Sequence, residues 1–155
     1  MIKQAKWILL KDMKDSIARL RKRPRRFKNT PCIGRTHGIH ADITCFGMKW
    51  VLWHEEMMRN LARFKEAARN IEVGKLSGAV GNFANIPPFI QDYVCEKLGI
   101  QSANVSTQVI QRDRHPSYMA TLAVIAASLA QMAFELRNPQ PAEVPEWEGA
   151  FTKRQ

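Results

Sequence analysis

Cysteine is scarce in this sequence, and its three cysteines are widely separated along the chain. Cys32, Cys45 and Cys95 form no CxxC pair, so their spacing indicates neither a zinc site nor a disulfide framework. Isolated cysteines in odd number are typical of a reducing compartment. Because Met1 is followed by an amphipathic stretch rather than a continuous apolar one, we expect no signal peptide and a cytoplasmic location.

Acidic residues are nearly absent from the first thirty positions, which makes the charge distribution uneven. The chain carries a formal net charge of +10. Residues 1–30 hold eleven Lys or Arg against two acids, whereas the rest of the chain is nearly neutral. The densest part, residues 19–26, is a candidate surface for phosphate backbones or acidic partners. No aromatic residues interleave it, as base stacking requires, so a solvated helix end is the simpler interpretation.

Helical periodicity is the main structural signal. Apolar residues at spacings of three and four predict one helix from about Ile2 to Arg23, ended by Pro24, and a longer one from near Asp42 to Ile71. The longer repeat is close to a heptad seam, which favours a helix packed along neighbours in a bundle. The apolar stripes are Trp7, Leu10, Met13, Ile17 and Leu20, then Ile43, Phe46, Trp50, Trp53, Met57, Leu61, Phe64, Ala68 and Ile71.

Glycine and proline mark the predicted loops over residues 27–41 and 72–88. In the second loop, Gly74-Lys75-Leu76-Ser77 lacks the order of a P-loop, so we do not interpret it as a phosphate cradle. A short helix should follow from Pro88 to Leu98, with proline in its first turn and Gly99 as its stop.

The last predicted helix, from about Pro116 to Arg137, has no charged residue between positions 118 and 134. A membrane span is the competing interpretation. The run is rich in alanine and contains Thr121, Ser128 and Gln131, so we favour the central rod of a helical bundle. Two long apolar helices need more partner surface than this chain supplies, so we expect either self-association or missing sequence, and no membrane partner.

Histidine supplies the candidate chemistry. His37 and His40 are spaced HxxH, whereas zinc proteases use HExxH on a helix, so we expect no metal. Histidine changes charge near neutral pH, and a histidine in a glycine-bounded loop before a helix suits proton transfer. His37 is therefore the candidate acid or base.

The segment around His37 resembles a motif of the adenylosuccinate lyases. Residues 30–41 (TPCIGRTHGIHA) are similar to the family's TPMIGRTHGIHAEP. Several long matches in family order are far more specific than one motif, and together they cover most of residues 28–137. The further matches are residues 46–49 (FGMK), 53–57 (WHEEM), 59–61 (RNL), 72–81 (EVGKLSGAVG), 93–99 (YVCEKLG) and 106–115 (STQVIQRDRH).

The resemblance implies a fold and an organisation. The family belongs to the fumarase/aspartase superfamily of all-α homotetramers, so the expected fold is an all-α, long-helix bundle resembling the superfamily's central domain. Residues 1–27 would form a basic helical arm and residues 28–137 the lyase-like bundle domain. Residues 138–155, which are rich in proline, would form an extended tail.

The resemblance also implies a reaction. Family members release fumarate by β-elimination from succinyl-AMP, or from the succinylated carboxamide ribotide of purine biosynthesis, without a cofactor. By this resemblance His37 would be the general acid that protonates the departing nitrogen. Thr36 would help to hold a substrate carboxylate. Gln108, in the matched STQ, would hydrogen-bond the substrate in a site shared between subunits.

Departures from the family pattern bear on activity. Asp42-Ile43 replaces the usual Glu-Pro, and Asn138-Pro139 interrupts what is normally a continuing helix. The 155 residues contain no GSSxMPxKxNP loop, which carries the family's serine base. Since elimination needs a base as well as an acid, we expect this chain alone to be inactive.

Two alternatives stay open at the level of sequence. The chain could be a nucleic-acid or acidic-partner binding protein that uses the basic arm, which predicts salt-sensitive binding. It could also be a non-catalytic subunit that assembles with a full-length lyase through the heptad-like helix, which predicts purification as a mixed oligomer.

Overall fold

The computed structural model describes residues 2–37 and 39–137 of the chain. Within them, four helices dominate: α1 (Ile2–Phe27), α2 (Phe46–Ile71), α3 (Pro88–Leu98) and α4 (Arg114–Arg137). Four short strands lie between the helices: β1 (Pro31–Thr36), β2 (Ile39–Cys45), β3 (Val73–Gly74) and β4 (Gln101–Ser102). The predicted all-α class is therefore confirmed, whereas the predicted tail lies outside the described residues.

The described residues fall into two compact units. The first combines residues 2–12 with 60–124, and the second combines residues 13–59 with 125–137. Each of the three long helices contributes residues to both units. The division into a basic arm, a bundle domain and a tail stays a prediction.

Helix α1 runs past Pro24 to Phe27, so the predicted stop at Arg23 is wrong. Proline here costs the helix one backbone bond, to the carbonyl four residues earlier. Contacts with α2 stabilise the last turn. The Phe27 ring packs edge-on against Phe46, with ring centres 5.2 Å apart, and stacks on Trp50, with ring centres 6.1 Å apart. The predicted buried stripe is also too long, since Trp7 is 69% exposed.

Strands β1 and β2 form an antiparallel hairpin where the sequence predicted a loop. Helix α2 consequently begins at Phe46 rather than near Asp42, and Ile43 lies on β2 with 77% of its surface exposed. The rest of the predicted seam is largely right. Its buried members are Phe46, Trp53, Met57, Leu61, Phe64 and Ala68.

In the first unit, α3 has the predicted bounds. Gly99 adopts the left-handed backbone (φ 62°) that lets a helix end, and its N–H donates to the Glu96 carbonyl at 2.9 Å. Strand β4 follows at once and pairs in parallel with β3, Val73 opposite Gln101 and Gly74 opposite Ser102. This short sheet brings the loop after α2 beside the loop before α4.

Helix α4 begins at Arg114, close to the predicted start. Its buried positions lie along one side of the helix: Tyr118, Ile125, Ser128 and Met132. The remaining surface is apolar and exposed, including Met119, Val124 and Phe134. By length and composition it is the one described helix that could cross a membrane, and only 17% of its most apolar stretch is buried within the chain.

Candidate functional site

The tip of the β1–β2 hairpin carries Thr36 and His37. Thr36 is the last residue of β1 and lies opposite Ile39, the first residue of β2, so positions 37 and 38 make the connection. His37 adopts a left-handed backbone with φ 54°. Two-residue hairpin loops favour positive φ at the first connecting residue because it matches the strand twist. The hairpin therefore fixes where the candidate acid stands.

A left-handed backbone is uncommon for residues other than glycine, although histidine tolerates it better than most. Residues held in such conformations concentrate at sites where geometry matters for function. Both Thr36 and His37 are exposed, so a ligand can reach the two side chains. The hairpin thus places an acid–base group beside a hydroxyl donor at an accessible turn.

A β-bulge lies directly below this tip. Gly34 pairs with Asp42 and Arg35 with His40, so Ala41 has no partner in the register. The Arg35 guanidinium lies 3.0 Å from Nε2 of His40. Because arginine can only donate, this ring nitrogen is the acceptor in the contact. The bulge consequently holds the Arg35 guanidinium against His40, one residue before Thr36 in the strand.

Gln108 belongs to the first compact unit, whereas Thr36 and His37 belong to the second. It lies in the loop between β4 and α4, and its side chain is exposed. Its backbone carbonyl accepts a hydrogen bond from the Lys75 ammonium at 2.9 Å. The structure thus brings Thr36 and His37 together at one turn, and places Gln108 in a separately anchored loop.

Two features of this arrangement were missed from sequence. The hairpin had a signal, since Ile39, Ala41 and Ile43 alternate with polar residues after a two-residue connection. Lys75 had none, because its role depends on carbonyls more than thirty positions away.

Metal ligation has no support in the described part of the chain. Among residues 2–37 and 39–137, no group of three or more His, Cys, Asp or Glu side chains lies close enough to hold an ion. Nε2 of His40 is already engaged by Arg35.

The basic block of residues 19–26 lies on α1, where it is mostly exposed. Two of its arginines pack against rings of the second unit. The guanidinium carbon of Arg23 lies 5.5 Å from the Trp50 ring centre, and that of Arg26 lies 5.5 Å from the Phe27 ring centre. These cation–π contacts place Arg23 and Arg26 against the rings of Trp50 and Phe27.

Comparison with known proteins gives a consistent result. The sequence profile of a family described as "Lyase" matches residues 1–153, a range that includes the basic arm. The chain is 54% identical over all 155 residues to adenylosuccinate lyase of Bacillus subtilis (strain 168). It covers 36% of that enzyme, so it spans about a third of the length of this relative.

Solved structures show the same fold. A fumarate lyase from Mesorhizobium sp. BNC1 superposes with a TM-score of 0.81 at 25% identity, over 92% of this chain and 34% of the other. The 3-carboxy-cis,cis-muconate lactonizing enzyme of Pseudomonas putida also gives a TM-score of 0.81, at 21% identity. That match covers 92% of this chain and 33% of the enzyme, and at this identity it supports the fold alone.

Proposed function

We propose that this chain, which belongs to the lyase family, forms part of an adenylosuccinate lyase and supplies the general acid of its β-elimination. One observation carries the proposal. His37 stands exposed in a left-handed turn inside the GRTHGIHA segment, within a chain that is 54% identical to an adenylosuccinate lyase over its full length. A binding module that uses the basic arm is not favoured, because the lyase match runs through that arm.

The reaction assigns a distinct task to His37. A base removes a proton from the succinyl carbon next to the one that carries nitrogen, and those electrons form the carbon–carbon double bond of fumarate. The carbon–nitrogen bond breaks, and its electron pair goes to the exocyclic amino nitrogen of the purine. Protonated His37 donates its proton to that nitrogen, so the products are fumarate and AMP. General acids of this kind contribute roughly 10²–10⁴-fold in rate.

The neighbouring residues bind and orient the substrate. The Thr36 hydroxyl at the end of β1 donates a hydrogen bond to a substrate carboxylate. The exposed Gln108 amide hydrogen-bonds the substrate. The proposed substrate class is therefore a succinylated purine nucleotide, with its carboxylates directed to the hairpin tip.

A complementation assay tests this proposal. The chain is co-expressed with B. subtilis adenylosuccinate lyase in which the histidine aligned with His37 is replaced by asparagine. We expect mixed oligomers that release fumarate from succinyl-AMP, with His37→Asn in this chain abolishing the release. The chain without the partner enzyme and the inactivated enzyme without the chain are the controls. Fumarate release that persists in the His37→Asn mixture would show that this histidine is not the acid.

The same proposal includes an assembly and a location. The exposed apolar side of α4 supports a homo-oligomer, which we propose to be a tetramer as in the resembled superfamily. Cys32, Cys45 and Cys95 form no disulfide, which supports a reducing cytoplasm as the location. Light scattering on the purified chain tests the first, and fractionation of the cells that produce it tests the second.

A further inference from the structure

Lys75 joins two loops of the first unit that are distant in sequence. Its ammonium donates to the backbone carbonyls of Gly78 at 2.7 Å, Thr107 at 2.7 Å and Gln108 at 2.9 Å. A lysine ammonium has three N–H donors and no acceptor, so these three carbonyls use all of them. Lys75 is therefore occupied by protein backbone, unlike the lysine of a P-loop, which reaches phosphates.

The same two loops also touch without Lys75. The Ser77 and Ser106 hydroxyls are hydrogen-bonded at 2.9 Å, and both residues are buried. Gly81 has φ +85°, and a Cβ placed on it would lie 1.8 Å from the Ser106 carbonyl oxygen. The two backbones thus approach more closely than any side chain at position 81 would allow.

Gln91 fixes the base of both loops. From α3, its Oε1 accepts from the Leu76 N–H at 2.7 Å, and its Nε2 donates to the Ser102 hydroxyl at 2.7 Å and the Ala103 carbonyl at 3.0 Å. Gln91 is only 3% exposed, so these bonds are shielded from water. Gln91 thus holds both loops near Leu76 and Ala103, and the serine pair holds them at Ser77 and Ser106. Lys75 makes the contact with the exposed residues Thr107 and Gln108.

We propose that Lys75 is a positioning residue for Gln108, an inference that rests on the proposed function. Holding the carbonyls of Thr107 and Gln108 at one ammonium limits the backbone torsions on both sides of the Gln108 side chain. The Cα–Cβ bond of Gln108 is thereby held in one direction before substrate arrives, which lowers the backbone entropy lost on binding. Without the ammonium, three carbonyl dipoles would converge with no donor between them, and the end of the loop would move apart.

The test compares Lys75→Met with Lys65→Met, which removes the same charge from an exposed site on α2. Backbone order of residues 107–109 is measured by ¹⁵N relaxation on the chain, and succinyl-AMP binding by calorimetry on the mixed oligomer whose copy of this chain carries His37→Asn, so that the substrate is not turned over. We expect Lys75→Met to lower the order parameters of these residues and weaken binding roughly tenfold, because charged hydrogen bonds are lost. Lys65→Met should change neither quantity. Lys75→Arg serves as a second variant, and its larger planar group should restore the order only in part.

A double-mutant cycle with Gln108→Ala separates positioning from general support of the fold. If Lys75 acts through Gln108, the double variant should bind no more weakly than Gln108→Ala alone, whereas independent effects would multiply. Unchanged loop order in Lys75→Met, or multiplying effects in the cycle, would overturn the inference. If the mixed oligomer with Lys75 intact does not bind succinyl-AMP, the proposed function fails first and the inference fails with it. Should Lys75→Met not fold, Lys75→Arg is carried through the same cycle and decides the outcome.

Discussion

Among single residues, His37 combines a proposed role as general acid with a restricted backbone. Its backbone φ of 54° is strained for β-branched residues, whereas glycine and asparagine adopt it at little energetic cost. The requirement for an acid and the requirement for the turn are therefore different demands on one position. A substitution that keeps the turn but removes the acid therefore separates the effect on activity from the effect on stability.

We expect His37→Asn to keep the fold and lose the chemistry. Asparagine tolerates the left-handed backbone but cannot donate a proton as an acid, so activity in the complementation assay should fall about 10²–10⁴-fold with little change in stability. His37→Val should lose the same activity and also destabilise the chain by about 1–2 kcal/mol. Denaturant unfolding measures the difference. Equal stabilities of the two variants would mean that the turn does not hold residue 37 in this conformation.

Tyr118 provides a second test at this scale. It is 6% exposed, its ring lies 5.8 Å from that of Phe64, and its hydroxyl has no hydrogen-bond partner among the described residues. Burial, and after it the charge of Glu72, raises the pKa of Tyr118 above its ordinary value. The folded chain therefore keeps this proton to a higher pH than the unfolded chain does. The stability linked to it is complete below about pH 10 and is lost as pH rises through the folded-state pKa.

We expect Tyr118→Phe to leave stability near neutral pH unchanged or raised by about 1 kcal/mol, because the removed hydroxyl is buried without a partner. The variant should also lose less stability than the parent chain between about pH 8 and about pH 10.5. Urea unfolding at both pH values measures both effects. A loss of more than about 1 kcal/mol near neutral pH would reveal a hydrogen bond to this hydroxyl.

At the scale of elements, the two loops of the first unit depend on one close backbone approach. Gly78 and Gly81 both have positive φ, but only Gly81 faces another backbone, since nothing lies within 4 Å of a Cβ built on Gly78. The two glycines therefore form a matched pair in which one variant adds strain alone and the other adds strain and a clash.

Gly78→Ala should cost about 1 kcal/mol, the usual penalty for alanine in a left-handed conformation. Gly81→Ala should cost about 3 kcal/mol or more, because its Cβ would meet the Ser106 carbonyl oxygen and force the loops apart. Chemical unfolding of both variants gives the comparison. If the two variants lose similar free energies of unfolding, the loops separate easily. That result would count against the inference that Lys75 holds them together.

Elements set by local sequence were predictable, and elements set by distant contacts were not. Pro88 and Gly99 bound α3 as expected, because a proline in the first turn and a left-handed glycine act within a few residues. Pro24 did not end α1, because ring contacts of Phe27 with α2 hold the last turn. The identity of His37 followed from its motif. The alternation over residues 39–43 was a signal for the second strand of its hairpin, whereas the Lys75 anchor depends on carbonyls more than thirty positions away and has no local signal.

At the scale of the whole molecule, α4 is an apolar helix with little of its surface buried, since only 17% of its most apolar stretch lies inside the chain. Its buried side is narrow, and apolar side chains cover the rest of its surface. A single soluble chain rarely leaves so much apolar helix surface in water. The chain matches 36% of its B. subtilis relative, so further protein surface is available in that enzyme. Self-association, contact with further sequence of a longer lyase and insertion into a membrane are all ways to cover the helix.

We expect self-association, and charges on the exposed side of α4 test it. Met119→Glu together with Phe134→Glu should shift the purified chain from oligomer to monomer in light scattering, because a buried unpaired carboxylate costs several kcal/mol. Leu98→Glu is the control, since Leu98 is 58% exposed at the end of α3 rather than on α4 and should leave the oligomer intact. A monomeric parent chain, or carbonate-resistant recovery from membranes, would contradict the expectation. In the second case the apolar surface of α4 would be covered by lipid rather than by further copies of the chain.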